Sequence, residues 1–257
     1  MHILTVALQK GGTGKSTTAH ALGQGLQQHG KKVLFIDLDP QGNLTYTMRG
    51  DVDKQTSFEV MTKQTIAKDA IQTLDQGHLI SASPKLSGAD LVVTQTGKEY
   101  RIKEALVALN GLYDFVIIDT PPALGTLTVN ALTAATGVII PVQAETYSIQ
   151  GIVQLYNTIE AVKAYCNPNL TVEGLLITRH NSRTILSRDM AETIEATARE
   201  LGTKLFKATI REGIAVKEAQ ARREPLFSYA PDSNPAQDYA RFIDEYLQNK
   251  TEEENHV

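Results

Sequence analysis

Residues 10–16 read KGGTGKS, a glycine-rich loop that carries two lysines and a serine. Glycines let consecutive backbone N–H groups turn inward around phosphate oxygens. In this pattern a lysine reaches the terminal phosphates and the hydroxyl that follows it ligates Mg²⁺, and Lys15 and Ser16 occupy those positions. The segment therefore predicts a site for a magnesium nucleotide. The candidate nucleotide-binding residues are Lys10, Gly11, Gly12, Thr13, Gly14, Lys15, Ser16 and Thr17.

The loop departs from the usual spacing at its start. Gln9 stands where the pattern expects a glycine, and Lys10 adds a second lysine. Two lysines this close together do not easily serve one triphosphate from the same chain. Lys10 is therefore either a contact to the nucleotide of another subunit or a solvated loop cation, and the spacing alone leaves both interpretations open.

Two acidic motifs follow apolar runs that fit buried strands. Residues 33–43 read VLFIDLDPQGN, with Asp37 and Asp39 at the strand end, and residues 115–122 read FVIIDTPP, with Asp119 at the strand end. Acidic groups at the carboxyl ends of parallel strands lie where such sheets bind ligands. Asp37 and Asp39 are thus expected to face the nucleotide, where a carboxylate can orient attacking water or hold the metal through water. Asp119 matches the aspartate that is associated with Mg²⁺ in phosphate-loop proteins.

Apolar runs alternate with helix-length segments along the chain, and this alternation must position the three motifs. We expect strands at residues 3–8, 33–38, 78–81, 115–119, 137–142, 170–178 and 204–210. We expect the main helices at residues 16–29, 98–109, 152–165, 187–201 and 235–248. The pattern predicts an α/β fold, a doubly wound and mostly parallel sheet with helices on both faces. In the first helix, Ala19, Leu22 and Leu26 form the predicted inward face.

The motifs that begin at Lys10, Asp37 and Asp119, in that order and spacing, resemble those of the deviant Walker-A ATPases of the ParA/MinD class, most closely the ParA/Soj partition proteins. The similarity continues through residues 137–152, 174–184 and 209–220. The resemblance implies an ATPase that uses ATP and Mg²⁺ and forms a homodimer around the nucleotides. It implies a catalytic set of Lys10, Lys15 and Asp39, in which Lys10 contacts the partner's phosphates and Asp39 positions the hydrolytic water. It assigns Asp37 and Asp119, with Ser16, to the magnesium site.

The same resemblance implies a DNA partition (segregation) function. The ATP-bound dimer would bind DNA nonspecifically, and a ParB-like centromere-binding adaptor would stimulate hydrolysis and release. Such a protein is expected in the cytoplasm and on the nucleoid when ATP is bound. We expect a single P-loop ATPase domain over residues 1–257, without a signal peptide or an N-terminal helix-turn-helix domain, because the first residues lead directly into a strand.

The net charge is −4, but basic residues are concentrated in one region. Residues 179–223 hold ten Lys and Arg against six Asp and Glu, whereas residues 224–257 hold two against eight. The basic region is either a solvated helix face or a surface for DNA phosphates. The resemblance implies that one basic position of the DNA surface matches Arg211. A second such position lies in a stretch that reads APDSNP here, at residues 230–235, without arginine. The candidate DNA-binding residues are Arg183, Arg211, Lys217, Arg222 and Arg223, with the last two expected to compensate.

Four other functions compete with partition. A MinD-like membrane-surface ATPase needs a basic amphipathic C-terminus, but residues 251–257 read TEEENHV, so we expect no membrane partner. An electron carrier with a shared iron–sulfur cluster is excluded because Cys166 is the sole cysteine. A metabolic P-loop enzyme needs a second substrate pocket, which the sequence does not identify. A ParA-like ATPase of a mobile element, acting in conjugation or copy control, remains open. For the base of the nucleotide, the sequence offers residues 178–181 as a candidate wall.

Overall fold

The computed structural model describes residues 1–145, 147–181 and 185–255. The strands are β1 (His2–Val6), β2 (Val33–Asp37), β3 (Gln72–Leu74), β4 (Gly77–Ile80), β5 (Phe115–Asp119), β6 (Gly137–Gln143) and β7 (Thr171–Thr178). The α-helices are α1 (Lys15–Gln28), α2 (Asn43–Met48), α3 (Ser57–Met61), α4 (Ala89–Val92), α5 (Arg101–Val107), α6 (Thr126–Ala134), α7 (Ser148–Tyr165), α8 (Ile185–Glu200), α9 (Ile214–Arg222), α10 (Leu226–Tyr229) and α11 (Asn234–Asn255). Short 3₁₀ helices cover Ala67–Ala70, Pro84–Gly88 and Lys98–Tyr100.

The strands of the described part form one sheet in the order β3-β4-β2-β5-β1-β6-β7. Neighbouring strands run parallel except β3 and β4, which form a hairpin at one edge. Asp37 of β2 is the register partner of Asp119 of β5, and Asp119 is in turn the partner of Val6 of β1. The carboxyl ends of three central strands therefore meet at one edge, directly below the loop that follows β1. This arrangement confirms the doubly wound, mostly parallel α/β sheet.

Helices cover both faces of this sheet. On one face α1 and α11 pack together, and the three residues predicted as the inward face of α1 have no exposed surface. On the other face α5 and α6 cover β2 and β5, while α7 and α8 cover β6 and β7. The core is consequently split into one apolar layer on each face, which fixes the central strands between two rigid layers. Among the described residues, no helix is both long and apolar enough to cross a membrane.

The prediction of a strand at residues 204–210 was wrong. This segment runs beside β7 but makes a single isolated parallel bridge to it, between Leu205 and Leu175, and the next bridge joins Arg211 to His180 beyond both segments. The physical reason is a carboxylate: Glu245 of α11 accepts hydrogen bonds from the backbone N–H groups of Lys207, at 2.8 Å, and Ala208, at 2.9 Å. Those two N–H groups are thereby withdrawn from any ladder with β7. Residues 98–109, predicted as one helix, begin instead with a 3₁₀ turn, and the antiparallel strand β3 was not predicted.

Candidate nucleotide site

The loop between β1 and α1 has the backbone shape that binds phosphate. Gly12 and Gly14 adopt φ angles of 77° and 84°, in the left-handed region that glycine reaches without strain. Helix α1 begins immediately afterwards, at Lys15, so its unpaired N–H groups and positive end point into the loop. The Lys15 ammonium donates a 2.8 Å hydrogen bond to the carbonyl oxygen of Lys10, across the space that a phosphate group would take.

Side chains from neighbouring strand ends hold this loop in shape. The amide of Gln143, at the end of β6, donates to the Gly12 carbonyl oxygen at 2.9 Å. The hydroxyl of Thr178, at the end of β7, donates to the Thr13 carbonyl oxygen at 2.7 Å. Side-chain donors thus bind these carbonyl oxygens, and the loop's N–H groups remain available for a ligand. The loop is thus preorganised for anions.

A cavity of about 530 Å³ opens over the loop. Seven of the predicted residues line it, namely Gly11, Gly12, Gly14, Lys15, Ser16, Thr17 and Asp39. The other lining residues are Gln41, Asn43, Tyr46, Thr47, Pro122, Gln220 and Ala221. We call this space the nucleotide cavity. Its volume suits a nucleotide, and its floor combines backbone donors with a buried ammonium group. Burial lowers the pKa of Lys15, whereas the charges of Asp119 and Asp39 raise it.

Asp119 is the most unusual group at the site. Its side chain is fully buried, and neither carboxylate oxygen accepts a well-aligned hydrogen bond from the described residues. Burial raises its pKa well above the usual value, and the neighbouring charge of Asp37 adds to the rise. The nearby Ser16 hydroxyl and Lys15 ammonium lower this pKa. A buried carboxylate without a donor is costly unless a cation neutralises it. Together with the Ser16 hydroxyl, it supplies the oxygen ligands that Mg²⁺ prefers, so these residues fit that ion.

Asp37 and Asp39 have different surroundings. The oxygens of Asp37 accept hydrogen bonds from the Asp39 N–H at 3.0 Å and from the N–H and hydroxyl of Thr45 at 2.8 and 2.7 Å. Burial raises the pKa of Asp37 to about 6, while these hydrogen bonds oppose the rise. Asp37 therefore fixes the loop between β2 and α2 and lies beside Asp119 across the strand pair. Asp39 lines the nucleotide cavity, and its Oδ1 atom accepts from the Gln41 N–H at 3.0 Å.

The Lys10 ammonium group has a different partner from the Lys15 ammonium group. Its ammonium group is 2.6 Å from Oε2 of Glu145, just after β6, in a partly exposed ion pair. Its side chain is not among those that line the nucleotide cavity. The two lysine side chains therefore occupy different positions, with Lys15 inside the loop and Lys10 at its outer side.

A second cavity, of about 330 Å³, adjoins the loop on the side of β7. Its walls include Thr178 and Arg179, which belong to the candidate base wall, together with Glu212 and Tyr239. Arg179 forms a 2.8 Å ion pair with Glu212 and lies 3.4 Å from the Gly12 carbonyl oxygen. The cavity is more apolar than the nucleotide cavity and shares Gly12 and Gly14 with it, so it can take the base of a nucleotide whose phosphates lie in the loop.

The described candidate DNA-binding residues lie beside the second cavity and at the end of α9. Arg211 is bound to the buried Asp238 through two guanidinium hydrogen bonds of 2.8 Å. Lys217 is exposed on α9 and borders the second cavity. Arg222 and Arg223 are exposed at the end of α9. Arg183 lies outside the described residues.

Several residues at the site were not predicted from the sequence. Glu145, Gln143 and Gln220 contact Lys10, Gly12 and Thr17 respectively. The first two follow or end an apolar strand, and a polar residue at that place is the signal that could have indicated them. Gln220 lies on α9, and nothing in its local pattern marks it.

Comparisons with known proteins agree with this geometry. A family model described as an AAA domain matches residues 1–172. The chain is 37% identical over 253 residues to the sporulation initiation inhibitor protein Soj of Bacillus subtilis, covering 96% of this chain and 98% of that protein. It is 36% identical to the chromosome partitioning protein ParA of Caulobacter vibrioides, covering 96% and 94%.

A solved structure gives the same result in three dimensions. The protein described as cobyrinic acid a,c-diamide synthase from Mycobacterium smegmatis, with bound ATP analogue and magnesium, superposes with a TM-score of 0.85 at 36% identity, covering 98% of this chain and 96% of that chain. With the phosphate loop, the paired aspartates and these similarities in place, the chain belongs to the ParA/Soj family of P-loop partition ATPases and uses ATP and Mg²⁺.

Proposed function

We propose that this ATPase works in DNA partition as a nucleotide-controlled dimer. ATP and Mg²⁺ bind each monomer, two monomers close around the nucleotides, and the dimer holds nonspecific DNA. Hydrolysis, accelerated by a ParB-like centromere-binding adaptor, separates the subunits and releases the DNA. In the cell, the ATP-bound form would then lie on the nucleoid. The names of the Soj and ParA relatives support the partition role.

The observation that carries the proposal is the placement of Lys10. Its ammonium group is held at the outer side of the loop by Glu145, so Lys15 alone serves the nucleotide of its own chain. The Lys10 and Glu145 side chains are 24% and 56% exposed, and an ion pair this accessible contributes at most about 1 kcal/mol. A triphosphate on a second subunit carries several negative charges and would outcompete a single carboxylate. Lys10 can therefore change partners when a second copy approaches.

The remaining residues divide the chemistry between them. The loop N–H groups and Lys15 hold the phosphates, and Ser16 and Asp119 hold the magnesium ion, with Asp37 beside them. Bound there, Mg²⁺ neutralises charge on the phosphates. Asp39 lies in the nucleotide cavity and has one carboxylate oxygen free of the Gln41 hydrogen bond, so it can accept a hydrogen bond from the attacking water.

DNA retention tests the nucleotide control directly. The protein is passed over immobilised DNA of random sequence with ATP, with ADP and without nucleotide. We expect retention with ATP alone, and prolonged retention for Asp39→Ala, because that variant should form the dimer but hydrolyse slowly. Lys15→Ala should bind neither nucleotide nor DNA. Equal retention of the wild type under all three conditions would reject the switch. ATP hydrolysis is measured separately, without any further small-molecule substrate. Hydrolysis under that condition distinguishes this ATPase from an amide-forming synthase, which needs a second substrate.

A further inference from the structure

Three arginines gather beside the nucleotide cavity, where two helices end side by side. Arg49 follows α2, and Arg222 and Arg223 end α9. All three side chains are exposed. Arg49 donates a 3.2 Å hydrogen bond from its guanidinium group to the carbonyl oxygen of Arg222, which joins the two helix ends. We call these three residues the arginine rim.

The backbone of the arginine rim is held in a costly shape. Arg49 and Arg223 have φ angles of 63° and 55°, a left-handed conformation that is unfavourable for a residue with a side chain. A buried amide holds both ends in place: Nε2 of Gln76 donates at 3.0 Å to the carbonyl oxygens of Thr47 and Arg223. The other end of this amide is fixed by the buried His20 ring at 2.8 Å.

The charge of the arginine rim is not neutralised within the described part of the chain. Arg179, Arg211 and Arg241 each form an ion pair with a carboxylate, whereas no described carboxylate lies within 4.0 Å of the rim's guanidinium groups. The Arg223 guanidinium lies 3.9 Å from the centre of the exposed Tyr46 ring. Stacking of this kind fixes the plane of the guanidinium and leaves its N–H groups free to bind an anion.

The arginine rim is also connected to the nucleotide. Tyr46, which supports Arg223, lines the nucleotide cavity together with Asp39 and Ser16. Helix α2, which ends at the rim, is tied through Thr45 to Asp37, the residue that fixes the Asp39 loop. A change of nucleotide that moves the Asp39 loop would therefore also move Arg49 and Arg223, because helix α2 connects them.

We infer that the arginine rim contacts the phosphates of duplex DNA in the ATP-bound dimer. The inference rests on the proposed function and adds Arg49, with Tyr46 as the residue that positions Arg223. A two-fold dimer carries two copies of the rim, and one polyanion that contacts both is held more tightly than by a single contact. Arg211 is the weaker candidate because Asp238 already binds its guanidinium.

Salt-dependent binding to DNA tests the inference. We would measure the ATP-dependent affinity of Asp39→Ala protein for a random-sequence duplex over a range of salt concentrations. Each arginine–phosphate contact contributes about 0.9 to the slope of log affinity against log salt, so removing one from each copy lowers the slope by about 2. Arg49→Gly and Arg223→Gly suit this test because glycine accepts the left-handed backbone, so both variants should fold. Arg199→Gly would add a helix defect, so the matched charge control is Arg199→Ala on α8.

The outcomes separate the inference from the proposed function. Lower slopes in the rim variants, with the slope of Arg199→Ala unchanged and the ATP-dependent dimer intact, support the inference. Unchanged slopes in both rim variants overturn it and leave the proposed function standing. Loss of the dimer in sedimentation without DNA would also overturn it, because the rim would then be a contact to the second copy. If the parent protein itself shows no ATP-dependent DNA binding, the proposed function fails together with the inference. Should either glycine variant fail to fold, Arg222→Gln removes a rim charge from an ordinary helical position.

Discussion

Replacing Asp119 with asparagine should stabilise the nucleotide-free protein while removing its response to magnesium nucleotide. The side chain is fully buried, it has no well-aligned donor among the described residues, and Asp37 lies opposite it on the next strand. Neighbouring strands are about 5 Å apart, and two unit charges at that distance repel by about 3 kcal/mol at an effective dielectric constant of about 20. The nearby Lys15 ammonium offsets part of this repulsion.

We therefore expect Asp119→Asn to raise the free energy of unfolding by about 2 kcal/mol, or the melting temperature by about 4–8 °C for a chain of this size. The sign of the pH dependence follows from the raised pKa of Asp119. Because the folded pKa lies above the unfolded one, the penalty is absent below the usual value of 3.8 and grows as the pH rises through the folded value. The gain from the substitution should thus be larger at pH 8 than at pH 5.

Thermal unfolding with and without ligand is the assay. At 100 times its dissociation constant, a ligand stabilises the folded protein by about 2.7 kcal/mol, and the wild type should show this gain with MgADP. Asp119→Asn should lose most of the ligand-induced stabilisation that depends on Mg²⁺. The control is Asp232→Asn, which removes an exposed charge and should change neither quantity. If nucleotide-free Asp119→Asn is less stable than the wild type, or keeps the full magnesium-dependent gain, Asp119 is neither a destabilising buried charge nor a magnesium ligand.

Three further predictions follow from buried groups. Gly23→Ala should destabilise the protein by about 1–2 kcal/mol in urea unfolding, because its Cβ would overlap the buried Phe35 ring and the overpacking outweighs the gain of about 1 kcal/mol in helix propensity; a raised urea midpoint would contradict this. Burial lowers the pKa of His20 to about 4, below its unfolded value, so stability present above pH 6.5 is lost as the pH falls towards 4, by on the order of 3 kcal/mol. His20→Asn should remove that part of the pH dependence. If the pH profile of unfolding is the same in the variant, the loss of stability does not arise from His20. Gln143→Ala removes the shorter of two hydrogen bonds to the Gly12 carbonyl oxygen and should weaken ADP binding several-fold in calorimetry, whereas an unaltered affinity would show that the loop keeps its shape without that contact.

The sequence predicted those parts of the molecule that depend on local pattern. The glycine-rich loop, the aspartates at strand ends and the inward face of α1 each rest on neighbouring residues, so their spacing carried the information. The parallel direction of the central strands followed from the alternation of strands and helices, whereas their order in the sheet was not predicted. The nucleotide cavity could be predicted for the same reason, because parallel strands bring their carboxyl ends to one edge.

Contacts between residues far apart in the chain could not be predicted in this way. Glu245 withdraws residues 207 and 208 from a ladder, and Asp238 takes up the guanidinium of Arg211 from another element. Glu145 meets Lys10 from a position 135 residues away. In each case several donors could bind the carboxylate, and tertiary packing rather than local spacing decides which of them does. The arginine rim likewise exists only because α2 and α9 end at the same place.

The most direct test of the central claim is sedimentation velocity with ATP and Mg²⁺, comparing Asp39→Ala with the double variant Asp39→Ala and Lys10→Ala. We expect a dimer for the first protein and a monomer for the second, while both bind ATP with similar affinity because Lys15 contacts the nucleotide of its own chain. A stable ATP-dependent dimer in the absence of the Lys10 side chain would contradict the claim that this lysine joins the two subunits.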